Sequence, residues 1–244
     1  MKTLLLICFV AMTFSPAKDT RYFELRVYYA APGKLDALIT RFSDHTTRIF
    51  EKHGMQNIGY WVPVTNDKNT LYYILAYPDK DSRKKSWEGF SADAEWKDAK
   101  GKSEVNGKLV DSVKSVFMYA ADILPAINSG SAGADRTFEL RTYHCQPGKL
   151  PALTKRFQDH TLKLFENHGM ENIAYFNSDA PEGKQPDLVY LIAHKSEDAA
   201  AKSWAAFLAD PDWVKVRDAS EKDGKILVGI EKVYLKPLSF SKIK

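Results

Sequence analysis

Two histidines have the residue type and the sequence surroundings for acid–base or ligand chemistry. His45 and His160 each lie in an Asp-His-Thr motif, three positions after Phe42 and Phe157 respectively. A neutral imidazole near pH 7 can act as a base or accept a hydrogen bond from a bound molecule. We expect each histidine to reach a pocket between a helix and a sheet, with the two phenylalanines as apolar contacts. The alternative is a half-buried histidine whose ring bonds to a strand backbone.

A second group of candidate residues alternates along two strand-like segments. An acid, a base and a phenol occupy every second position, as Glu24, Arg26 and Tyr28 and again as Glu139, Arg141 and Tyr143. Alternation at period two places each set on one face of its strand. We predict that the polar sets line the inside of a barrel, where they bind a polar group of a ligand or pair across an interface. The apolar residues between them, beginning with Phe23, would then face the helices.

The other reactive residues favour structural roles. His53 and His168 each precede a glycine at the end of a helix, where a cationic side chain is ordinary stabilisation. Cys145 is predicted to be a lone buried thiol, because alternation sends its neighbour His144 to the opposite face of the strand. Spacings typical of metal sites, such as CxxC or HExxH, do not occur in the sequence. No metal site is therefore predicted.

The segment that carries these residues occurs twice in the chain. Residues 21–61 return as residues 136–176, and about 25 of 41 paired positions are identical. The similarity continues beyond these segments, with a loop two residues longer in the second copy. A period of about 115 residues is the size of a domain and too long for a solenoid repeat. The chain therefore consists of two copies of one module.

Each module has the residue pattern of a ferredoxin-like β-α-β-β-α-β fold. In the first copy, the predicted elements in order are a strand at 23–29, a helix at 34–53 ended by Gly54, strands near 57–64 and 71–77, a helical region at 82–100 and a strand at 112–119. Both helices of such a fold cover the same face of the sheet, so the other face needs a different cover. The second module is the obvious candidate, and two sheets that close face to face form a barrel.

Several spaced motifs resemble the NIPSNAP family: the FELRxY strand, the PGKL turn, the RFxDHT and HGM segments of the helix, and SWxxF. The resemblance covers both modules, over residues 21–236. It implies an α+β fold in which two tandem ferredoxin-like modules form an intrachain dimeric α+β barrel, a pseudo-dimer within one chain. The wider superfamily includes cofactor-free monooxygenases and haem-binding enzymes, whereas NIPSNAP domains have no settled reaction.

The ends of the chain and its charge bear on location and partners. Residues 1–17 combine a basic start, a short apolar run and a small-residue exit, which is typical of a signal peptide and predicts a secreted or periplasmic protein. The modules are predicted at residues 18–124 and 136–240, joined by a Gly/Ser-rich linker at 125–135. The net charge of +4 is dispersed among acidic residues, which argues against a nucleic-acid partner. No segment has the length and hydrophobicity of a membrane span.

These observations predict an exported protein that binds a small, mostly apolar molecule and, in one version, converts it without a cofactor. Two alternatives stay open: a non-catalytic interaction or scaffold module with a solidly packed barrel, and haem binding with His45 or His160 as axial ligand. A ligand cavity of about 300–1,000 Å³ would separate the first two hypotheses. Whether the protein is an enzyme is open at this stage.

Overall fold

The computed structural model describes residues 18–124, 126–127 and 136–244. The predicted signal peptide and most of the predicted linker lie outside these residues. The first module contains β1 (Tyr22–Ala30), α1 (Leu35–Arg41), a π-helical turn (Phe42–Thr46), α2 (Thr47–Lys52), β2 (Gln56–Pro63), β3 (Thr70–Tyr77), α3 (Lys80–Ala92), α4 (Ala94–Ser103) and β4 (Val110–Ala120). The second contains β5 (Thr137–Cys145), α5 (Leu150–Arg156), a second π-helical turn (Phe157–Thr161), α6 (Leu162–Asn167), β6 (Glu171–Ser178), β7 (Leu188–His194), α7 (Glu197–Ala209), α8 (Pro211–Ser220) and β8 (Leu227–Pro237).

The eight strands form one closed barrel in the order β1-β3-β2-β8-β5-β7-β6-β4. Each module supplies a four-stranded antiparallel sheet, and two antiparallel seams join the sheets. In one seam Trp61 on β2 is opposite Pro237 on β8, and in the other Met118 on β4 is opposite Ser178 on β6. The predicted intrachain dimeric α+β barrel is therefore confirmed. In the described part of the chain, no helix has the length and apolar character that a membrane crossing requires.

The prediction of which strand face lines the barrel interior is wrong. The structure shows the opposite arrangement. Phe23 and Leu25 belong to an apolar cluster inside the barrel, together with Phe138 and Leu140 of the second module. The acid–base–phenol sets instead face the helices. The interior lies between two sheets with no helix to supply polar partners, so apolar side chains fill it at lower cost. The helices offer those partners to the polar sets, which do not pair across the module interface as the sequence had suggested.

Side chains and glycines at the helix ends account for where the helices begin and stop. The Asp79 carboxylate accepts a hydrogen bond from the Ser82 N–H at 2.6 Å and caps α3. Asp93 breaks the single predicted helical region in two, because its carboxylate caps α4 by accepting from the N–H of Glu95 at 2.8 Å. As predicted, Gly54 follows the first helix in a left-handed conformation, with φ of 76°.

The long predicted helix of each module is interrupted by a π-helical turn. Within each turn a threonine hydroxyl donates to the carbonyl five residues earlier, Thr46 to Arg41 and Thr161 to Arg156, both at 3.1 Å. A π turn adds a residue to the helical path and shifts the faces that follow. Phe42 and Thr46, at the two ends of the turn, are both buried. The intervening residues, including His45, are exposed.

The segment after the last strand of each module packs on the other module. The Leu238 N–H donates to the carbonyl of Tyr60 in module 1, and the Ala121 N–H donates to the carbonyl of Tyr175 in module 2, both at 2.9 Å. The ring of Phe240 then packs at a tilt against that of Tyr60, with ring centroids 5.2 Å apart. These reciprocal tails tie the two modules together in addition to the two strand seams.

Gly59 tests how tightly the barrel interior is packed, because a Cβ at this position would overlap the indole ring of Trp61. The second module has Ala174 and Phe176 at the equivalent positions. We expect Gly59→Ala to destabilise the fold by about 1–3 kcal/mol through overpacking. Adding Trp61→Phe, which copies module 2, should recover part of that loss. Urea unfolding of both variants checks this, and a Gly59→Ala protein as stable as the parent would contradict it.

Candidate functional site

Each module has a cavity between its helices and its sheet. The module 1 cavity measures about 250 Å³, and its lining includes Tyr28, Phe42 and Trp96. The module 2 cavity measures about 340 Å³, and its lining includes Arg141, Tyr143, Phe157 and Trp213. The cavities thus occupy equivalent places in the repeat. Among the predicted candidates, Tyr28, Phe42, Tyr143, Phe157 and Arg141 line them, whereas Glu24, Arg26 and Glu139 do not.

An ion pair closes one side of each cavity. Arg41 donates to Glu104 at 2.8 Å in module 1, and Arg156 donates to Glu221 at 3.1 Å in module 2. Each guanidinium also lies over the ring of the cavity tryptophan, at 5.1 Å in module 1 and 5.2 Å in module 2. Each of these ion pairs joins a cation and an acid of the cavity wall. Most of the other lining residues are aromatic or aliphatic, with lysines and arginines among the rest. Such a wall suits an apolar molecule.

The guanidinium at the base of the module 2 cavity is held by three neighbouring groups. Arg141 donates to Glu139 at 2.7 Å. Its charge lies 4.1 Å from the ring centroid of Trp204 and 5.4 Å from that of Tyr143. A cation between two aromatic rings is oriented and partly desolvated. Among the described residues, its Nε has no hydrogen-bond partner.

The carboxylates behind the two cavities are fully buried and have different partners. Glu24 accepts from Arg83 at 2.8 Å, from Tyr77 at 2.9 Å and from Trp87 at 3.2 Å, besides Arg26. Burial raises the pKa of Glu24. The hydrogen bonds and charges of the two arginines outweigh this effect, so its pKa lies below the usual glutamate range.

Glu139 in module 2 has a histidine where Glu24 has a tyrosine. It accepts from Trp204 at 2.6 Å and bonds to Nε2 of His194 at 3.0 Å. Burial raises the pKa of Glu139, but the His194 bond and the Arg141 charge lower it below the usual range. The sequence analysis did not identify the tryptophans Trp87 and Trp204 as hydrogen-bond donors to these carboxylates. The sequence could have indicated this role, because a buried acid on a strand position that faces the helices needs hydrogen-bond donors from those helices.

Tyrosines behind the cavities stay protonated. Burial raises the pKa of Tyr73 well above its usual value, and neighbouring Tyr28 raises it further. In module 2, burial likewise raises the pKa of Tyr190 well above its usual value, and neighbouring Tyr143 raises it further. Neutral phenols at pH 7 can donate hydrogen bonds but do not act as bases.

The structure does not place the two Asp-His-Thr histidines in the helix–sheet cavities, so their expected location is wrong. Both are exposed. His160 instead lines an open groove on the outer helical surface of module 2, beside Lys163 and Asp212. The cause is the π-helical turn, which directs the phenylalanine and threonine of the motif inward and the histidine between them outward. A role for His45 and His160 stays a prediction.

The remaining reactive groups have structural partners. Nε2 of His53 bonds to Asp93 at 2.7 Å, and Nε2 of His168 bonds to Asp210 at 2.6 Å, which ties the end of α2 to the cap of α4 and the end of α6 to the cap of α8. Cys145 is buried as predicted, and burial raises the pKa of its thiol to about 11. Within residues 18–124, 126–127 and 136–244, no three histidine, cysteine or acidic side chains gather as metal ligands would.

The fold and the paired cavities define a tandem dimeric α+β barrel protein. The NIPSNAP family pattern matches residues 23–125 and 138–242, so the chain belongs to the NIPSNAP family. No curated protein matches the chain.

Solved structures similar to this chain share its whole barrel or one of its modules. A candidate monooxygenase from Fusobacterium nucleatum has 13% identity and a TM-score of 0.57, covering 90% of this chain and 93% of its own. An anthrone oxidase-like protein has 14% identity and a TM-score of 0.52, covering 94% and 97%. A NIPSNAP family protein of unknown function from Agrobacterium tumefaciens has 28% identity over 45% of this chain and 94% of its own, with a TM-score of 0.39.

Proposed function

We propose that this protein binds a small, mostly apolar molecule in the cavity between helices and sheet. The observation that carries the proposal is the recurrence of this cavity at equivalent positions of both modules, about 250 Å³ in the first and 340 Å³ in the second. The module 2 cavity is at the lower end of the 300–1,000 Å³ range of ligand pockets and the module 1 cavity is just below that range, so both suit only small ligands. A packed scaffold module has no need to keep such a space in both of its copies.

The chemistry of the lining supports binding more directly than conversion. The walls offer aromatic surface, phenols and several cations, among them Arg141 and Lys232 in module 2, and no histidine is among the described residues that line either cavity. The two carboxylates in the lining, Glu104 and Glu221, each accept a hydrogen bond from an arginine, which favours their ionised form over uptake of a proton. The likeness to the candidate monooxygenase is one of fold, so the proposal is limited to binding.

The test combines identification of a ligand with closure of each cavity. Leu227 lines the module 2 cavity, and Val110 is its equivalent in module 1. We expect Leu227→Trp and Val110→Trp to fill their cavities with an indole ring. Native mass spectrometry of the purified protein should then show that a co-purified small molecule is lost, or at least about tenfold weaker, when its cavity is filled.

Exposed histidine variants are the matched controls. His45→Ala and His160→Ala leave both cavities intact and should keep the ligand. A ligand that survives in both filled variants would overturn the proposal and favour the interaction-module hypothesis. The haem hypothesis has its own readout, a Soret band on adding haem that disappears in one of the histidine variants.

A further inference from the structure

We propose that the module 2 cavity is the main binding site and that it selects an apolar molecule carrying an acidic oxygen, such as a carboxylate, phenolate or enolate. This inference rests on the proposed binding function and adds which module binds and which chemical group is recognised. It is based on differences between the modules at positions where the rest of the repeat agrees. These differences concern the placement of cations, the bonds of the cavity arginine and the mouth of the cavity.

Among the described residues, two cavity-lining cations are directly opposite each other on neighbouring strands in module 2 and not in module 1, where the lysines of the lining, Lys100 and Lys108, lie outside the strands. Arg141 on β5 is directly opposite Lys232 on β8, and both residues line the module 2 cavity. The equivalent pair in module 1 is Arg26 and Ser115, neither of which lines its cavity. Like charges directly opposite each other destabilise a sheet. A bound anion between Arg141 and Lys232 would relieve that repulsion, and module 1 has no such repulsion to relieve.

The two arginines also differ in how they use their donors. Arg26 donates from Nη2 to the Tyr28 hydroxyl at 3.3 Å, in addition to its bond with Glu24. Arg141 bonds to Glu139 but, among the described residues, makes no equivalent bond to Tyr143. Glu139 is 0% exposed and partly offsets the Arg141 charge, whereas no ion-pair partner of Lys232 is found among the described residues. The module 2 cavity therefore presents the Lys232 charge, together with the Arg141 donors and the Tyr143 side chain, to a ligand.

The mouth of the module 2 cavity is more apolar than that of module 1. Leu208 and Ile230 line it and remain 55% and 49% exposed. Their module 1 equivalents are Ser91 and Val113. Large apolar side chains left exposed around a cavity are typical of a binding site for an apolar body. A ligand with an acidic oxygen at the base and an apolar body at the mouth satisfies both features.

Two fluorescent probes of similar shape and different charge test the inference on the full-length protein. The anionic probe is 1-anilinonaphthalene-8-sulfonate, and the neutral one is N-phenyl-1-naphthylamine. Ile230→Glu adds an acid at the module 2 mouth, and Val113→Glu adds it at the equivalent exposed position of module 1. Lys232→Ser gives module 2 the residue that module 1 has. These positions are exposed, so the fold should tolerate all three changes.

We expect Ile230→Glu and Lys232→Ser each to weaken the anionic probe by about three- to tenfold and the neutral probe by less than about twofold. Val113→Glu should leave both affinities unchanged. Equal effects of the two glutamate variants, or equal losses for both probes, would overturn the inference. These results leave the proposed function standing if Leu227→Trp still abolishes binding. Binding of both probes that ignores Leu227→Trp and Val110→Trp would instead refute the proposed function itself.

Discussion

Glu139→Gln is expected to destabilise the protein by about 3–5 kcal/mol, because it leaves the buried Arg141 charge without its carboxylate. Glu139 is 0% exposed and holds Arg141, Trp204 and His194 together. The amide of glutamine keeps the shape of the side chain and removes the charge. Urea unfolding at pH 7 measures the loss.

Matched variants separate the buried charge from a general effect of the substitution. Glu24→Gln in module 1 should cost at least as much, since Glu24 neutralises both Arg26 and Arg83. Glu88→Gln, at a side chain 64% exposed, should change the free energy of unfolding by less than about 0.5 kcal/mol. A Glu139→Gln loss as small as that of Glu88→Gln would contradict the network described here.

The same carboxylates give the stability a defined pH dependence. The folded pKa values of Glu24 and Glu139 lie below the usual range, for the reasons given above. Their contribution is therefore fully present above the unfolded pKa of about 4.3 and is lost as the pH falls below it. The single variant Glu139→Gln should lose less stability between pH 6 and pH 3 than the parent protein does, as urea unfolding across this pH range would show.

The repeat allowed the architecture to be predicted, but not which face of each strand is inside. Alternation along β1 separates Glu24, Arg26 and Tyr28 from Phe23 and its apolar partners, and either set could face the barrel interior. The donors that decide the question lie far away in sequence. Arg83 and Trp87 on α3 reach Glu24 only because the helix packs over that face. A search for donors to match each buried acid would have favoured the observed facing.

The sequence predicted the location of the cavity correctly, but not which polar residues line it. A pocket between helix and sheet beside Phe42 and Phe157 was predicted, and each cavity has the expected phenylalanine in its wall. The predicted location of the histidines is wrong because the spacing of apolar residues fits a regular α-helix. In such a helix His45 would border the apolar stripe. The π-helical turn contains a hydrogen bond from the Thr46 hydroxyl to the Arg41 carbonyl, and the apolar spacing does not predict such a turn.

The reciprocal tails could not be predicted from local patterns. The segment after β8 is too short to show a period, and its partners are far away along the chain. The Ser241 hydroxyl accepts from the N–H of Tyr60, which lies 181 residues earlier. Contacts of that separation follow from how the barrel closes, and they appear only once the two modules are in place.

Ile243→Ala is expected to destabilise the whole protein by about 2–5 kcal/mol, the usual cost of a buried isoleucine truncation. Ile243 is 4% exposed and belongs to the cluster inside the barrel, alongside Phe138 of module 2 and Trp61 of module 1. Since both sheets contribute to that cluster, the cavity left by the truncation weakens the contact between modules. Thermal and urea unfolding should show one cooperative transition at a lower midpoint.

The neighbouring lysine is the control for this variant. Lys242 is 58% exposed at its side chain and pairs with Glu51, which is 50% exposed, so Lys242→Ala should cost less than about 1 kcal/mol. If Ile243→Ala left the midpoint unchanged, the tail would be dispensable and the two strand seams alone would hold the barrel closed. If it instead split the unfolding into two transitions, the tail would be what couples the modules, and each module would unfold separately without it.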